Sequence, residues 1–495
     1  MWNSINQALN IIDNFVWGVP LMVLIIAGGL LLTIRLGLLQ IRKLPLALKW
    51  MLQNEEGGKG EISSFSALCT ALSATIGTGN IVGVATAVCA GGPGALFWMV
   101  VAAFLGMATK YSEGLLAVKY RTVAEDGHSL GGPFYYIELG MGKNFKWLAK
   151  IFAFFGVCVG LFGIGTFSQV NGISSAVHGF FDPNDAFTVK ILPFLGEYSW
   201  SVVIASLILS FCVAAVLIGG VKRIASVSQI IVPFMAVIYF VFAVILICCN
   251  ITKVPAAFAT IVTVAFSPKA ITGGAVGSML IAMQKGVARG IFSNEAGLGS
   301  APIAAAAAQT NSPVRQGLVS MTGTFIDTII ICTLTCLSIV LTGAWQVEGL
   351  EGVQVTTYAF QHGLPFPAQF SSFILMLCLV FFAFTTILGW DYYSERCLEY
   401  LSGGNMKHVK IFRWIYILAV FIGPYMTVSA VWTIADIFNG LMAIPNMIAL
   451  FALSGVIVKE TRAFFQHAKE EALAEHRSFE EVCEENLNEE EAPAN

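Results

Sequence analysis

Long apolar runs separated by short polar segments dominate the chain. Crossing a bilayer as a helix takes about 20 mostly apolar residues, and eleven segments meet that requirement. The predicted spans are residues 15–35, 63–90, 93–118, 147–178, 200–219, 225–250, 271–310, 317–343, 368–394, 411–428 and 431–458. The pattern predicts an all-α polytopic membrane protein. No basic stretch precedes the first run, which we expect to be retained as a membrane helix rather than cleaved as a signal peptide.

Composition agrees with a lipid environment. Hydrophobic residues make up 57% of the 495 positions and charged residues only 12%, against about 25% charged residues in soluble globular proteins. Most of the 11 cysteines lie inside apolar runs, and no CxxC pairs with a second one. The sequence therefore predicts neither a disulfide scaffold nor a zinc site, and no cofactor is expected.

The formal net charge of −3 combines two unlike parts. Residues 470–495 hold ten Glu and one Arg, whereas the rest of the chain carries a net charge of +6. We interpret residues 459–495 as an acidic tail, a solvated helix that fades into disorder. The acidity is confined to this tail, and the partner that the composition predicts is the lipid bilayer rather than a nucleic acid.

Lysine and arginine in the loops predict the orientation. With the N-terminus outside, 21 of the 27 basic residues fall in cytoplasmic segments. Only three, Lys190, Lys253 and Lys269, fall outside, and the remaining three lie within spans. This asymmetry predicts an outside N-terminus and a cytoplasmic C-terminus.

The spans also indicate an internal repeat. Setting aside residues 1–62, which hold the first span and a loop, ten spans divide into five in residues 63–250 and five in residues 271–458. An odd number of spans per half gives the halves opposite orientations, as in inverted-repeat transporters. An accidental even division is the alternative, and a matching interruption at the start of each half favours the repeat.

Both halves open with an interrupted apolar run. The first contains SATIGTGN at residues 73–80, and the second contains GIFSNEAGLGS at residues 290–300. Glycines are poor helix formers, and in lipid an unwound backbone is tolerated only where it lines a cavity. Close helix packing is the alternative use of such glycines, and a nucleotide site is excluded because no strand precedes them. Paired breaks predict the central site of a transporter.

The helix ends created by a break have opposite chemistry. The half that ends near Ile76 offers unpaired carbonyls suited to a cation, and the half that begins near Gly79 and Asn80 offers N–H groups suited to a carboxylate. The second break repeats this arrangement in the opposite direction. Together, the four ends predict a site for a zwitterion accompanied by a monovalent cation.

Other polar residues within spans fit such a site, each with a structural alternative. Gln169 could hold an amino group, or it could serve as an interhelical hydrogen-bonding residue. Thr385 and Thr386 could offer hydroxyl oxygens to a small cation, or they could bond back to their own helix carbonyls. Trp390 lies one turn beyond Thr386 and could form a pocket wall or anchor the helix end.

Charged residues within spans are candidates for function. Arg289 and Glu295 flank the second break, and we interpret them as gate or stabilising residues. Asp327, Asp391 and Asp436 also lie in or near spans. We expect Asp391 at the cytoplasmic edge of its helix, without a special role.

The chain resembles the alanine or glycine:cation symporters, which belong to the amino acid–polyamine–cation superfamily with the LeuT-type fold. Four stretches carry the resemblance, which extends over residues 15–460: GTGNIVGVAT (77–86), GGPGA (91–95), GPFYYIE (132–138) and ARGIFSNEAGLGSAP (288–302). It implies five-plus-five inverted repeats with one extra N-terminal helix. It also implies sodium-coupled uptake of L- or D-alanine or glycine across a prokaryotic plasma membrane.

The resemblance implies two neighbouring sites. The implied substrate site comprises Gly77, Thr78, Gly79, Asn80, Gln169, Phe292, Ser293 and Trp390, with the carboxylate on the backbone of the two glycines. The implied Na⁺ site comprises carbonyls near Ser73 and Ile76 together with the hydroxyls of Thr385 and Thr386. The second break differs from the general LeuT pattern, because it is one residue longer and contains Asn294 and Glu295.

The leading hypothesis is alternating-access symport with Na⁺. Proton coupling with Glu295 as the carrier is an alternative of the same class. A non-transporting amino-acid sensor is a third, although residues 459–495 are too short and too charged for an output domain. The chain contains no H-E-x-x-H, histidine cluster or nucleophile motif, so we do not expect an enzyme.

Overall fold

The computed structural model describes residues 2–53, 58–124, 127–190, 197–266, 279–426, 428–474 and 482. Helices dominate these residues. The first thirteen are α1 Trp2–Val16, α2 Val19–Arg35, α3 Leu39–Arg42, α4 Leu44–Leu52, α5 Ser64–Thr75, α6 Val84–Gly91, α7 Ala95–Lys119, α8 Pro133–Tyr135, α9 Lys146–Phe162, α10 Phe167–Phe181, α11 Trp200–Leu217, α12 Gly220–Cys249 and α13 Val254–Ala265. The next eight are α14 Met279–Asn294, α15 Ala301–Ala305, α16 Pro313–Thr324, α17 Thr333–Thr342, α18 Val353–Gly363, α19 Ala368–Leu401, α20 Met406–Ile422 and α21 Val428–Ala474.

Shorter elements join these helices. Three segments have the wider π-helical turn, namely Gly79–Gly83, Tyr136–Gly140 and Phe325–Cys332. Four 3₁₀ turns are Lys143–Phe145, Ile251–Lys253, Ala344–Gln346 and Gly423–Tyr425. Two short antiparallel hairpins pair β1 Thr122–Val123 with β2 Ser129–Leu130, and β3 Thr188–Lys190 with β4 Glu197–Ser199.

The helices account for most of the predicted spans. Among the described residues, eight helical stretches are long and apolar enough to cross a bilayer, and the bent pair α5–α6 makes a ninth. These nine correspond to nine of the eleven predicted spans. Predicted span 411–428 corresponds to α20, which has only 17 residues. Predicted span 271–310 corresponds to α14 and α15, and its residues 271–278 lie outside the described residues.

The distribution of side chains is that of a protein in lipid. Helices α11, α12 and α20 expose Phe211, Ile230 and Trp414 at 75%, 69% and 61% of their surfaces. Polar and charged side chains such as Lys110 and Asp327 are buried in the interior. Because the bilayer core offers no hydrogen bonds, apolar groups face outward and polar groups pair within the protein. The chain is an all-α polytopic membrane protein, and its acidic tail beyond Ala474 lies almost wholly outside the described residues.

Both predicted interruptions are present. Helices α5 and α6 meet at an angle of 50° across Ile76–Thr78 and the π-helical turn that follows. Helix α14 ends at Asn294, and α15 begins only at Ala301. Helix α7 packs against α14, α15 and α16, while α19 packs against α5, α9, α10 and α12. These contacts bring the two breaks together in the centre of the helices.

One end of the helix assembly is held by backbone pairing. The N–H groups of Glu61 and Ile62 donate to the carbonyl of Ala307, at 2.9 and 3.2 Å. The N–H of Gln309 donates back to the carbonyl of Ile62 at 2.8 Å. The guanidinium of Arg121 donates to carbonyls of this same chain segment, including that of Ala308 at 2.8 Å. These bonds satisfy the backbone between α15 and α16, which is not helical.

Glycines allow the closest helix contacts, and Gly286 in α14 gives the sharpest test. A Cβ atom added there would lie 2.2 Å from the carbonyl oxygen of Ala95 in α7, so the two helices would have to separate. We expect Gly286→Ala to destabilise the protein by about 1–3 kcal/mol through overpacking. Thermal unfolding of the detergent-purified protein measures the change.

Gly455 in α21 provides the matched control, since no atom lies within 4 Å of an added Cβ. Gly455→Ala should leave the melting temperature unchanged or raise it slightly, because alanine favours helix by about 1 kcal/mol over glycine. Equal melting temperatures for the two alanine variants would contradict the packing argument.

Candidate functional site

The first break places backbone N–H groups against side-chain oxygens. The N–H of Gly77 donates to Asn80 Oδ1 at 2.9 Å, and the N–H of Thr78 donates to Gln169 Oε1 at 3.0 Å. All four residues are buried in the interior. The two oxygens occupy positions where a carboxylate would accept the same hydrogen bonds. Gln169, from α10, is thereby brought to the break as the sequence predicted.

The carbonyl end of the same break meets α19. The hydroxyl of Thr386 lies 3.3 Å from the carbonyl oxygen of Ile76 and 3.0 Å from that of Phe382. Ser73 lies at the same contact, because a Cβ added to Gly389 of α19 would be 2.9 Å from Ser73 Oγ. Of the predicted cation ligands, Thr386, Ile76 and Ser73 thus lie at one helix contact.

Thr385 behaves differently from its neighbour. Its hydroxyl bonds back to the carbonyls of Phe381 and Phe382, at 3.1 and 3.0 Å, and contacts Met235 Sδ at 3.6 Å. These bonds correspond to the structural alternative for a membrane threonine. In this conformation, the hydroxyl of Thr385 is directed toward α12 rather than toward Ile76.

The second break contains a strained acidic residue. Glu295 has φ +57°, a left-handed conformation that is uncommon for a residue with a side chain. Its Oε1 accepts from the indole Nε1 of Trp390 at 2.8 Å, and its Oε2 accepts from Ser300 Oγ at 2.6 Å. The carboxylate therefore bridges the two sides of its own break and holds the Trp390 side chain. The sequence had indicated Glu295 and Trp390 separately, without a contact between them.

The two breaks touch each other. A Cβ added to Gly79 would lie 3.3 Å from both Phe292 Cδ1 and Ser293 Cα. The Phe292 ring is buried, and the guanidinium of Arg289 lies 5.3 Å from its centroid. A larger residue than glycine at position 79 would push the second break away from the first.

Asp327 joins the two breaks, and the sequence did not assign it to the site. Its Oδ1 accepts from Asn80 Nδ2 at 2.7 Å. Its Oδ2 accepts from Ser293 Oγ at 2.8 Å and from Thr328 Oγ1 at 2.7 Å. Asp327 lies in the π-helical segment Phe325–Cys332, and the signal that could have found it was an acidic residue deep within an apolar span.

A further carboxylate holds the other side of the second break. Glu113 of α7 accepts from the N–H of Gly297 at 3.1 Å and from Asn446 Nδ2 at 2.7 Å. Asn446 also donates to the carbonyl of Gly297 at 2.9 Å and accepts from the hydroxyl of Tyr136. Side chains from two helices, α7 and α21, therefore satisfy the unwound backbone at Gly297.

Lys110 lies one helical turn from Glu113 and is only 3% exposed. Its ammonium interacts electrostatically with the carboxylates of Glu113, Glu295 and Asp327, although the described residues give it no hydrogen-bond partner. A cavity of about 10 Å³ lies beside it, near the size of one water molecule. One buried amino group thus lies among three buried carboxyl groups.

A wide cavity approaches this cluster from one end. The cavity, which we call the vestibule, has a volume of about 1170 Å³. Its lining includes Thr86, Cys89, Asn171, Arg289 and Tyr358. Arg289 is the one predicted site residue among the described residues that line it. Arg289 therefore connects the vestibule with the second break, because its guanidinium also lies over the Phe292 ring.

An ion pair holds Arg289 at the vestibule. Arg289 of α14 pairs with Asp436 of α21 through two hydrogen bonds of 2.9 and 2.7 Å. The side chains are 16% and 13% exposed, so water reaches them. The sequence predicted Arg289 as a gate or stabilising residue, but it did not identify Asp436 as the partner.

Interrupted helices around a buried polar cluster, in an all-α polytopic membrane protein, define the class of membrane transport proteins. The model of the sodium:alanine symporter family matches residues 2–478, and the chain therefore belongs to this family.

Several curated proteins are similar along nearly their whole length. An uncharacterized transporter of Haemophilus influenzae is 55% identical over 467 residues, covering 94% of this chain and 97% of the relative. The sodium/alanine symporter AgcS of Methanococcus maripaludis is 46% identical over 471 residues, covering 94% and 98%. The probable sodium/glutamine symporter GlnT of Bacillus subtilis is 35% identical over 472 residues, covering 95% and 92%.

The bond between Trp390 and Glu295 can be measured by a double-mutant cycle. Trp390→Phe removes the indole donor, and Glu295→Gln removes the charge of its acceptor. We expect the two losses to be non-additive by about 1–3 kcal/mol, because either change alone breaks the bond. Unfolding of the detergent-purified variants gives the four free energies.

Trp98 offers the control for this cycle. Its indole donates to the carbonyl of Ala265 at 3.1 Å and shares no hydrogen-bond partner with Glu295. Trp98→Phe and Glu295→Gln should therefore be additive. Additivity in the Trp390 cycle as well would show that the bond is not a stabilising interaction.

Proposed function

We propose that the protein is a secondary active transporter that carries alanine into the cell together with Na⁺, by alternating access, and accepts glycine as a second substrate. The observation that supports this most is the convergence of both helix breaks on Asp327, through Asn80 and Ser293. Membership of the sodium:alanine symporter family supports the choice of Na⁺ and alanine. In this proposal Na⁺ is cargo, no resident cofactor takes part, and the protein is not an enzyme.

The proposed architecture has eleven spans with a LeuT-type arrangement. Residues 1–62 supply an extra helix and loop, residues 63–250 and 271–458 form the two inverted repeats, and residues 459–495 form a cytoplasmic tail. Two features support this division. The helix breaks fall in the first span of each proposed repeat, and the two breaks contact each other.

In the proposed topology, the N-terminus faces the outside of a prokaryotic plasma membrane and the C-terminus faces the cytoplasm. The excess of basic residues in the proposed cytoplasmic segments supports it. The vestibule would then open to the outside. The paired backbone around Ile62 and Ala307 would close the cytoplasmic side.

The carboxylate of the amino acid would bind at the first break. It would replace Asn80 Oδ1 and Gln169 Oε1 on the N–H groups of Gly77 and Thr78, with Gly79 allowing the close approach. The released Gln169 side chain could then accept from the substrate ammonium group. The exchange keeps every N–H group paired, which an apolar environment requires.

Sodium would bind at the opposite end of the same break, between the carbonyl of Ile76 and the hydroxyl of Thr386, near Ser73. Both oxygens already lie side by side, at 3.3 Å. Thr385 would join only after its hydroxyl turns away from its own helix. Since one unwound segment holds both ligands, each ligand should raise the affinity for the other by the same factor.

Phe292 and Trp390 would limit the size of the substrate side chain. Both rings are buried, and the bond to Glu295 prevents the Trp390 indole from turning freely. Fixed walls of this kind suit a hydrogen or methyl side chain. Arg289 and Asp436 would form the outer gate, because their ion pair lies between the vestibule and Phe292.

Proton coupling at Glu295 is less well supported than sodium coupling. Its two carboxylate oxygens accept bonds from Trp390 and Ser300, and the ammonium of Lys110 is nearby. Hydrogen-bond donors and a neighbouring cation stabilise the ionised form of a carboxylate. Full burial favours the neutral form of the same group, so the choice of Na⁺ rests on the family to which the chain belongs.

Sodium dependence can be tested with labelled alanine in proteoliposomes. Replacing Na⁺ by K⁺ should reduce uptake to background. Thr386→Val should raise the Na⁺ concentration for half-maximal uptake by about tenfold, a loss of about 1.4 kcal/mol, because one ligand oxygen disappears. Thr386→Ser keeps the oxygen and should behave like the wild type.

Thr385→Val is the second control, and we expect a smaller effect because its hydroxyl already bonds to its own helix. Undiminished uptake in K⁺ would contradict sodium coupling. Uptake in K⁺ that follows a pH gradient and disappears in Glu295→Gln would favour the proton alternative instead.

Cys89 can report the orientation of the vestibule, because it lies in the lining and is partly exposed. A charged, membrane-impermeant thiol reagent added outside intact cells should modify it. Na⁺ together with alanine should slow the reaction, since closure of the vestibule would hide the thiol. Cys89→Ser distinguishes this signal from that of other cysteines. Modification only from the cytoplasmic side would contradict the proposed topology.

A further inference from the structure

A second buried acidic residue lies next to the proposed site and takes no part in it. Asp391 follows Trp390 in α19 and is fully buried, with 0% of its surface exposed. Neither carboxylate oxygen has a hydrogen-bond partner among the described residues. The sequence suggested an unremarkable position at the cytoplasmic edge, whereas the side chain is fully enclosed where α20 packs on α19.

The charged groups around Asp391 already pair with each other. Arg413 of α20 binds Glu395, one turn beyond Asp391, with two bonds of 2.6 and 2.8 Å. The hydroxyl of Tyr416 contacts the carbonyls of Ile387 and Gly165, at 2.8 and 2.9 Å. Glu395 and Arg413 are the charged groups that interact with Asp391. Two carboxylates therefore share one guanidinium, and only Glu395 is hydrogen-bonded to it.

Keeping the Asp391 carboxylate ionised in this buried position, without a hydrogen-bond partner, would cost much free energy. Burying an unpaired charge in an apolar interior is so unfavourable that the group becomes neutral instead. A metal cation needs several oxygen ligands around it, whereas the described residues give neither Asp391 oxygen a hydrogen-bond partner. The occupant that the surroundings allow is a proton.

We propose that Asp391 is a proton-binding site between α19 and α20, occupied in this conformation and distinct from the site at the helix breaks. In the proposed topology, the site lies on the cytoplasmic side of Trp390, within the half of the protein that is closed here. Opening of that side would admit water to Asp391 and let the proton leave.

The effect of pH on the conformations follows from the same argument. A conformation that binds the extra proton is stabilised as pH falls and destabilised as pH rises. Because Asp391 is adjacent to Trp390, its charge would disturb the pocket wall held by Glu295. The consequence for transport rests on the proposed function, whereas the proton itself can be detected without transport.

Infrared spectroscopy of the purified protein provides the direct test. A protonated carboxylic acid has a C=O band that an ionised carboxylate lacks. The wild type should show a band at neutral pH that Asp391→Asn removes. Asp391→Ser serves as a second variant in case the first does not fold. Glu197→Gln, which alters an exposed carboxyl group in β4, should keep the band.

Alanine uptake at a fixed Na⁺ gradient gives the second readout. Wild-type uptake should fall by up to about tenfold per pH unit above the midpoint of the Asp391 titration. Asp391→Asn, a neutral mimic of the protonated acid, should keep uptake and flatten that decline, while Glu197→Gln should follow the wild type.

The outcomes separate the two proposals. A wild-type band that neither Asp391 variant removes, or an unchanged pH profile in an active Asp391→Asn protein, would overturn the proton site. A band that disappears in the variants, in a protein that moves no alanine, would support the proton site and refute the proposed function alone.

Discussion

The structure depends on one constraint, which is that an unwound helix in a membrane must have its backbone groups satisfied by other parts of the protein. Side chains from distant segments meet this need at both breaks. Gln169 binds the first break, and Glu113 with Asn446 binds the second. Asp327 then links the breaks through Asn80 and Ser293, so movement of either one disturbs the other. Two flexible segments thereby become one cooperative unit.

Charge balance adds a second condition to this unit. Three carboxylates lie around one ammonium group, that of Lys110, in a part of the protein that excludes most water. Their hydrogen bonds offset part of the cost of burial, but the cluster still holds more carboxyl groups than amino groups. In the proposed sodium site, a monovalent cation at the carbonyl end of α5 would add positive charge near them.

Local features of the sequence predicted local structure well. The positions of both breaks follow from glycine content and from polar residues in apolar runs, whereas the contact of Thr386 with Ile76 and the placement of Gln169 were implied by the family resemblance. The bonds of Asp327 to Asn80 and Ser293, of Glu295 to Trp390 and of Arg289 to Asp436 did not follow, because each joins segments 34 to 247 residues apart that no local pattern relates. Asp391 shows the same limit, since its burial depends on α20, whose packing face has no distinct sequence signal.

The two ends of the molecule are closed by interactions of different kinds. At the vestibule, a bidentate ion pair joins the partly hydrated side chains of Arg289 and Asp436. At the other end, backbone hydrogen bonds join Ile62 to Ala307 and Gln309, each worth about 1 kcal/mol, with Arg121 adding more. A ligand that binds both conformations with equal affinity does not change their relative populations. In the proposed alternating access, Na⁺ and alanine would therefore have to bind better when the breaks rearrange. The second break could transmit that preference, because α15 leads directly into the paired segment.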